Sequence, residues 1–178
     1  MDNAQEIFNQ RINASLIENK RVKLGIVNRF EKAVNDCGMV SDNDRVLIPI
    51  GNNADSVLLA LLFRRLKGTG GIDFEPVFVS ENDIKVRPDS RFTADYAAFL
   101  GVPAPEEAGI PAIVAAARNR GCNKAALCDH YSDRVVTAPK ETVPGEPALQ
   151  LIRPMRLVRK EDIEFWNSFT GLNLPLAD

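Results

Sequence analysis

The stretch from Asp44 to Leu66 constrains the fold of this chain more than any other. It begins with an apolar run, Val46 to Ile50, which predicts a strand buried on both faces, as in a parallel sheet. Gly51 to Asn53 follow as a turn, and a helical pattern starts near Asp55. Backbone N–H groups at such a turn lack partners, and the helix dipole favours negative charge there. The stretch therefore predicts an anion site, although an ordinary turn rich in Asn explains the same pattern.

Composition and charge narrow the class of protein. The chain has 178 residues, 45% of them hydrophobic and 26% charged, which predicts one globular domain, or one domain with a helical extension. A net charge of −2 gives no strong basic field for nucleic acid. No apolar run is long enough to span a membrane, and the polar N-terminus is not a signal peptide. The 3 cysteines are too few for a disulfide framework, so we expect a cytoplasmic protein.

Helices and strands alternate along the chain, which predicts an α/β fold with a doubly wound, mostly parallel sheet. We expect a helical segment over 1–40, the α/β domain over 41–169 and a tail over 170–178. Residues Pro139 to Pro147 are predicted to be a proline-rich connection. Strands are predicted at Val46–Ile50, Phe74–Val79, Lys124–Cys128 and Leu149–Arg153, and helices at Ala4–Asn19, Val22–Cys37, Asp55–Lys67, Asp89–Leu100, Pro111–Arg120 and Lys160–Phe169.

Polar residues follow three of the predicted strands, at the edge where an open α/β sheet binds its ligands. Carboxylates suited to Mg²⁺ lie at Asp55, Asp129 and Asp133. Arg153 could grip a phosphate in a bidentate manner, and Ser56 could either bind a phosphate or cap the helix. His130, the single histidine of the chain, is either a ligand contact or a packed residue.

Three motifs in order resemble the PP-loop ATP pyrophosphatases. Gly51–Ser56 occupies the place of the S-G-G-x-D-S loop, and Gly121–Asp133 is similar to G-x-x-K-x-A-L-G-H-H-x-D-D. Ile152–Met155 and Val158–Ile163 are similar to the I-R-P-L and V-R-E-K-D-I stretches. The likeness runs from about Val22 to Trp166. Among these families it is greatest to the tRNA 2-thiocytidine synthetases, with the tRNA lysidine synthetases next.

The resemblance implies a function and a set of site residues. In that family the loop binds ATP phosphates, and the enzyme transfers AMP to a carbonyl oxygen of a tRNA base, releasing pyrophosphate. The implied cofactors here are ATP and Mg²⁺, with Asp55 and Asp133 as the catalytic and metal-binding residues. The implied nucleotide-binding residues are Gly51, Asn52, Asn53, Asp55, Ser56, His130, Asp133 and Arg153.

The departures from the family pattern qualify that function. Asn52 and Asn53 replace two glycines, which let a backbone approach phosphate closely. Their amide side chains either fill the phosphate's space or donate hydrogen bonds to a smaller anion. The later segment has Cys128, Asp129 and Ser132 in place of a glycine, a histidine and an aspartate. The CxxC pair of the thiocytidine enzymes has no counterpart, so we expect no iron–sulfur cluster.

Two hypotheses follow from the sequence. The first is an adenine-nucleotide-binding protein that adenylates a carbonyl oxygen of tRNA or of a small molecule. The second is a catalytically inactive relative that serves as a binding or assembly module. The net charge does not support tRNA as a partner, and the sequence indicates neither the oligomeric state nor whether the basic residues form one patch. Both hypotheses require loop amides between Ile50 and Ser56 that face an open pocket beside His130, Asp133 and Arg153.

Overall fold

The computed structural model describes residues 14–51, 53–80, 109–132 and 137–176 of the chain. The helix predicted at Asp89–Leu100 lies outside these residues, and so does most of the one predicted at Ala4–Asn19. Two of the predicted site residues, Asn52 and Asp133, also lie outside them. Their placement at the site stays a prediction.

One mostly parallel sheet forms the centre of the described part of the chain. Its five strands have the order β2-β1-β3-β5-β4, with β4 alone antiparallel to its neighbour. This confirms the predicted α/β class. The strands are β1 (Arg45–Ile50), β2 (Glu75–Ser80), β3 (Lys124–Ala126), β4 (Lys140–Val143) and β5 (Glu146–Ile152).

Helices cover both faces of this sheet. The helical elements are α1 (Lys20–Val22), a π-helical turn (Lys23–Val27), α2 (Asn28–Asp36), α3 (Ala54–Thr69), α4 (Gly109–Asn119) and α5 (Lys160–Phe169). The main core lies between one face of the sheet and helices α1, α2, α3 and α5. A smaller core lies between the other face and α4. Helices on both faces of a parallel sheet are the doubly wound arrangement that the alternation predicted.

Strand β1 shows why its sequence is almost uniformly apolar. Leu47 belongs to the smaller core, whereas Val46, Ile48 and Ile50 belong to the main core. Successive side chains of a strand point to opposite faces, so a central strand between two helical layers needs apolar residues at every position. The predicted burial on both faces is confirmed.

Helix α1 and the π-helical turn pack on α5 through a close approach at Gly25. A Cβ atom at this position would lie 2.9 Å from the carboxyl group of Asp162, so only glycine fits without a shift. Asp162 is buried and accepts hydrogen bonds from Nε of Arg21 and Nε of Arg159, at 3.2 Å each. The shared carboxylate joins the π-helical turn region to the start of α5.

The prediction of a connection at Pro139–Pro147 was wrong. The structure has β4 there, a tight turn at Pro144 and Gly145, and then the start of β5. Gly145 has a φ of +78°, a conformation that glycine adopts without strain. Residues Lys140 to Thr142 are exposed, because β4 is an edge strand. An edge strand with polar residues on both faces lacks the alternation by which strands are recognised.

Candidate functional site

The carboxyl ends of β1 and β3 border the place where a doubly wound sheet binds its ligand. The chain passes from β1 to β2 on one side and to β3 on the other, so the switch point of the topology lies between β1 and β3. β1 pairs with β2 at six positions but with β3 only at Val46↔Lys124 and Leu47↔Ala125. Beyond Leu47 the ladder between β1 and β3 ends, and Pro49 has no N–H to extend it. Ligands of open α/β sheets bind in the crevice at such a point.

A contact between Asp55 and His130 spans this crevice. Asp55 lies in the first turn of α3, after β1, and His130 lies four residues after the end of β3. Nδ1 of His130 is 3.1 Å from Oδ2 of Asp55. The Asp55 side chain is buried at 2% exposure, whereas that of His130 is 23% exposed. Nδ1 therefore faces the carboxylate, and Nε2 lies on the ring edge away from Asp55.

Three backbone amides of the loop from Gly51 to Ser56 donate hydrogen bonds to acceptors within the chain. The amide of Gly51 donates to Oγ of Ser56 at 2.9 Å, and the amide of Ser56 donates to Oδ1 of Asn53 at 2.8 Å. The amide of Ala54 donates to the carbonyl oxygen of Pro175 at 2.8 Å. The prediction that the loop amides face an open pocket was therefore wrong for these three amides, because each has an acceptor within the chain. Ser56 closes the loop on itself, and Asn53 acts as the N-cap of α3.

Arg153 is bound by the chain itself rather than presented to a ligand. Nε donates to Asp129 at 2.8 Å, Nη1 to the carbonyl of Ala138 at 3.1 Å and Nη2 to Glu141 at 3.3 Å. Burial by itself lowers the pKa of Arg153, but its hydrogen bonds to Asp129 and Glu141 outweigh this, so its pKa lies above the ordinary value. A bidentate grip on phosphate would require Arg153 to leave these acceptors.

The described residues fit Mg²⁺ poorly. Among them, no group of three or more His, Cys, Asp or Glu side chains is placed to hold a metal ion. Oδ2 of Asp55 already contacts His130, and Oδ2 of Asp129 already accepts a hydrogen bond from Arg153. The predicted partner carboxylate, Asp133, lies outside the described residues.

The three cysteines belong to the two separate cores. Cys122 is buried in the smaller core, while Cys37 and Cys128 are half-buried against the main core. Burial raises the pKa of the Cys122 thiol, and the nearby charge of Arg45 offsets only part of this effect. A thiol with a raised pKa is a weak nucleophile at neutral pH, so Cys122 serves packing.

A small apolar pocket opens at the same rim, on the side of α4. Its volume is about 180 Å³. Pockets that enclose a drug-sized ligand measure roughly 300–1,000 Å³, so this one has room for part of such a molecule. Asp129 at its edge is a polar acceptor. The lining residues are Pro49, Ile110, Ile113, Ala126, Leu127, Cys128 and Asp129.

The basic residues that the sequence left unplaced fall into distinct groups. Arg159 converges with Arg21 on Asp162 at the start of α5. Arg64 and Arg65 instead line a groove beside residues 14–17.

In the residues that the structure describes, no helix has the length and apolar character needed to cross a membrane.

Two features of the site were not found by sequence reasoning. One is the contact of Pro175 with Ala54, because the tail has no pattern that marks a docking segment. The other is the attachment of Arg153 to Glu141, because β4 was not recognised as a strand. Of the predicted site residues within the described chain, the structure brings Asp55 and His130 together across the crevice.

No protein-family model matches this chain, and no curated protein matches it significantly. Solved structures do match, and the chain shares with them a mostly parallel α/β fold. One is the U34-tRNA thiolase NcsA from Methanococcus maripaludis with its [4Fe-4S] cluster, at 9% identity and a TM-score of 0.54, over 83% of this chain and 63% of that one. Another is yeast FAD synthetase (Fad1) in complex with FAD, at 12% identity and a TM-score of 0.55, over 92% and 66%.

This chain spans just under two thirds of the length of each of these two proteins, at 63% and 66%. At such low identity the likeness shows the fold alone. What this chain binds has to be argued from its own residues.

Proposed function

We propose that this chain binds an adenine nucleotide in the crevice between β1 and β3. The observation that carries the proposal is the contact of His130 with Asp55 across the carboxyl ends of these strands. A buried carboxylate that orients a partly exposed imidazole, at the switch point of a doubly wound sheet, is a typical arrangement of a ligand site rather than of a core.

The pocket of about 180 Å³ beside Asp129 would receive the base. Its apolar lining suits the faces of a flat ring, and the carboxylate of Asp129 can accept a hydrogen bond from an exocyclic amine such as that of adenine. His130 would contact the rest of the nucleotide through Nε2, with Asp55 fixing the orientation of the ring. The structures of NcsA and of FAD synthetase with FAD lend support, because both share this fold.

Adenylation of a carbonyl oxygen of tRNA or of a small molecule, with release of pyrophosphate, is the reaction that the resemblance adds to this proposal. It would require ATP phosphates to reach the loop from Gly51 to Ser56. For that step the amides of Gly51, Ala54 and Ser56 would have to leave their present acceptors.

The occupied amides favour a second candidate function. In it, the chain keeps the nucleotide site but performs no chemistry, and acts as a binding or assembly module. The bound state of Arg153 supports the same reading, because the cation expected to neutralise phosphate is already neutralised by Asp129 and Glu141.

Calorimetric titration with AMP, ATP and pyrophosphate, each with and without Mg²⁺, tests the proposal. We expect AMP to bind, and to raise the melting temperature at millimolar concentration, because a ligand of the native state alone stabilises that state. Asp55→Asn removes the orienting charge and should weaken AMP by about tenfold, as expected for a lost charged hydrogen bond. Asp36→Asn, which alters an exposed carboxylate on α2, is the control and should bind like the unaltered chain.

Absence of heat and of a melting shift with every adenine nucleotide would remove the proposal. Release of pyrophosphate from ATP separates the two candidates. Measurable release would favour the adenylating enzyme, and AMP binding without release would favour the binding module.

A further inference from the structure

The C-terminal tail crosses the main core on its way to the loop after β1. The chain turns at Gly171, whose φ is +75°, and then places Leu172 and Leu174 in the main core at 4% and 5% exposure. These two residues alternate with the exposed Asn173 and Pro175. A segment that buries alternate leucines is packed against the protein, here with Asn173 in the left-handed region at a φ of +50°.

Asn167 of α5 clamps the tail at Leu174. Nδ2 of Asn167 donates to the Leu174 carbonyl at 2.8 Å, and the Leu174 amide donates to Oδ1 of Asn167 at 3.0 Å. Asn167 is itself buried, at 7% exposure. The paired bonds imitate one step of a strand ladder, and so they fix the direction of the next residue, Pro175.

The next carbonyl along the tail reaches the loop. The oxygen of Pro175 accepts the amide of Ala54, the first residue of α3, at 2.8 Å. The first amides of a helix are those with no partner in the helix, and an anionic ligand would bind them. Here the tail supplies the acceptor in place of such a ligand.

We propose that residues 172–176 form an internal strap that occupies the phosphate side of the nucleotide site. This inference rests on the function proposed above and names its ligand class. With the strap seated, the site takes a nucleoside monophosphate in preference to pyrophosphate or a nucleoside triphosphate. Of the three occupied loop amides, release of the strap frees that of Ala54, which then becomes available to a longer phosphate chain.

Asn167→Ala tests the strap, because it removes both bonds to Leu174. Inorganic pyrophosphate and AMP are titrated into this variant and into the unaltered chain. We expect pyrophosphate to bind about tenfold more tightly to the variant, as one freed charge-binding donor predicts, and AMP to change by less than about twofold. Asn173→Gly is the control in the same segment. Asn173 is exposed with a φ of +50°, which glycine adopts freely, so this variant should behave like the unaltered chain.

Amide hydrogen exchange at Ala54 provides a readout that needs no ligand. It should become faster in Asn167→Ala, while the amide of Val57, which donates to the carbonyl of Asn53 within α3, serves as the internal reference. Pro175→Gly is a second variant for the case in which Asn167→Ala does not fold. Pro175 is exposed, so its replacement loosens the tail without opening the core, and a smaller gain in pyrophosphate affinity is expected.

Equal pyrophosphate affinity in the strap variants and the unaltered chain would overturn the strap, and so would an Ala54 amide that stays protected in both variants. The AMP arm decides the proposed function separately. Absence of AMP binding in every protein, together with a gain for pyrophosphate in the variants, would keep the strap and remove the adenine nucleotide.

Discussion

Polar side chains meet at both edges of the sheet, at the amino ends of β1 and β3 (the amino rim) and at their carboxyl ends (the carboxyl rim), but the two groups differ in their contacts. At the amino rim, Lys124 donates to Asp44 and to the carbonyl of Met39, each at 2.7 Å, and Asn123 donates to Asp44 at 2.8 Å. These bonds lie where β1 and β3 are paired, and they tie the two strands together. At the carboxyl rim the same strands are no longer paired, and Asp55 and His130 meet across the crevice.

The comparison shows how a structural polar cluster differs from a candidate site. Asp44 has three donors within the chain, the Lys124 ammonium, the Asn123 amide and the backbone of Ser41. Such a cluster is complete and stabilises the fold when intact. The imidazole of His130 instead contacts Asp55 through Nδ1 and leaves part of its ring exposed, at 23% side-chain exposure. Variants that change stability without changing ligand affinity, or the reverse, therefore test this difference.

The largest effect on stability is expected from Asp44→Asn at the amino rim. The change leaves the Lys124 ammonium without its carboxylate at 9% side-chain exposure, and losing one partner of a buried pair costs about 3 kcal/mol. The free energy of unfolding in urea measures it. Asp36→Asn, in an exposed pair with Lys32, is the control, with an expected loss under about 1 kcal/mol.

The stability difference between the unaltered chain and Asp44→Asn should depend on pH. Burial by itself raises the pKa of Asp44, but hydrogen bonds from Lys124, Asn123 and Ser41 outweigh this, so its pKa is lower in the folded chain than in the unfolded one. Its stabilising contribution is present above the unfolded pKa of about 3.9 and is lost as pH falls through the folded pKa. The stability difference between the unaltered chain and Asp44→Asn should shrink below about pH 4. A difference that stays constant down to pH 2 would contradict this assignment.

An intermediate effect is expected from Arg153→Lys at the carboxyl rim. Lysine cannot reach Asp129, Glu141 and the Ala138 carbonyl together, and the lost charged hydrogen bonds should reduce the free energy of unfolding by about 2 kcal/mol. Arg118→Lys, in the exposed pair with Glu146, is the matched control. If Arg153 instead grips phosphate, stability will be unchanged and nucleotide affinity will fall.

The smallest effect is expected from the loop change Gly51→Ser, Asn52→Gly and Asn53→Gly. It removes the Asn53 side chain from the Ser56 amide, and a freed donor worth about 1 kcal/mol should tighten ATP binding about fivefold. Replacing an Asn cap by glycine costs only a few tenths of a kcal/mol, so the fold should persist. Calorimetry with ATP and Mg²⁺ measures the affinity. Unchanged or weaker binding would show that the asparagines do not block the loop.

Much of the fold could be predicted because its elements are marked locally. The helix at Lys160–Phe169 has the predicted bounds, and β1 was found from its apolar run. The crevice residues Asp55 and His130 were found from their places after strand ends. The functions of Arg153 and Asn53 could not be predicted, because each depends on a partner fixed by tertiary structure. The partner of Arg153, Glu141, lies on an edge strand that has no sequence signal. The side chain of Asn53 accepts the Ser56 amide as a helix cap, but its sequence pattern fits an ordinary turn equally well.

The short ladder between β1 and β3 has a mechanical consequence. Within the sheet, two residue pairs connect strands β1 and β2 to strands β3, β5 and β4. A molecule that contacts both Asp55 and His130 would connect β1 and β3 at the end where these strands are not paired. Ligand binding would then reduce the motion of β1 relative to β3, and the mobility of the sheet would differ between the free and the bound protein.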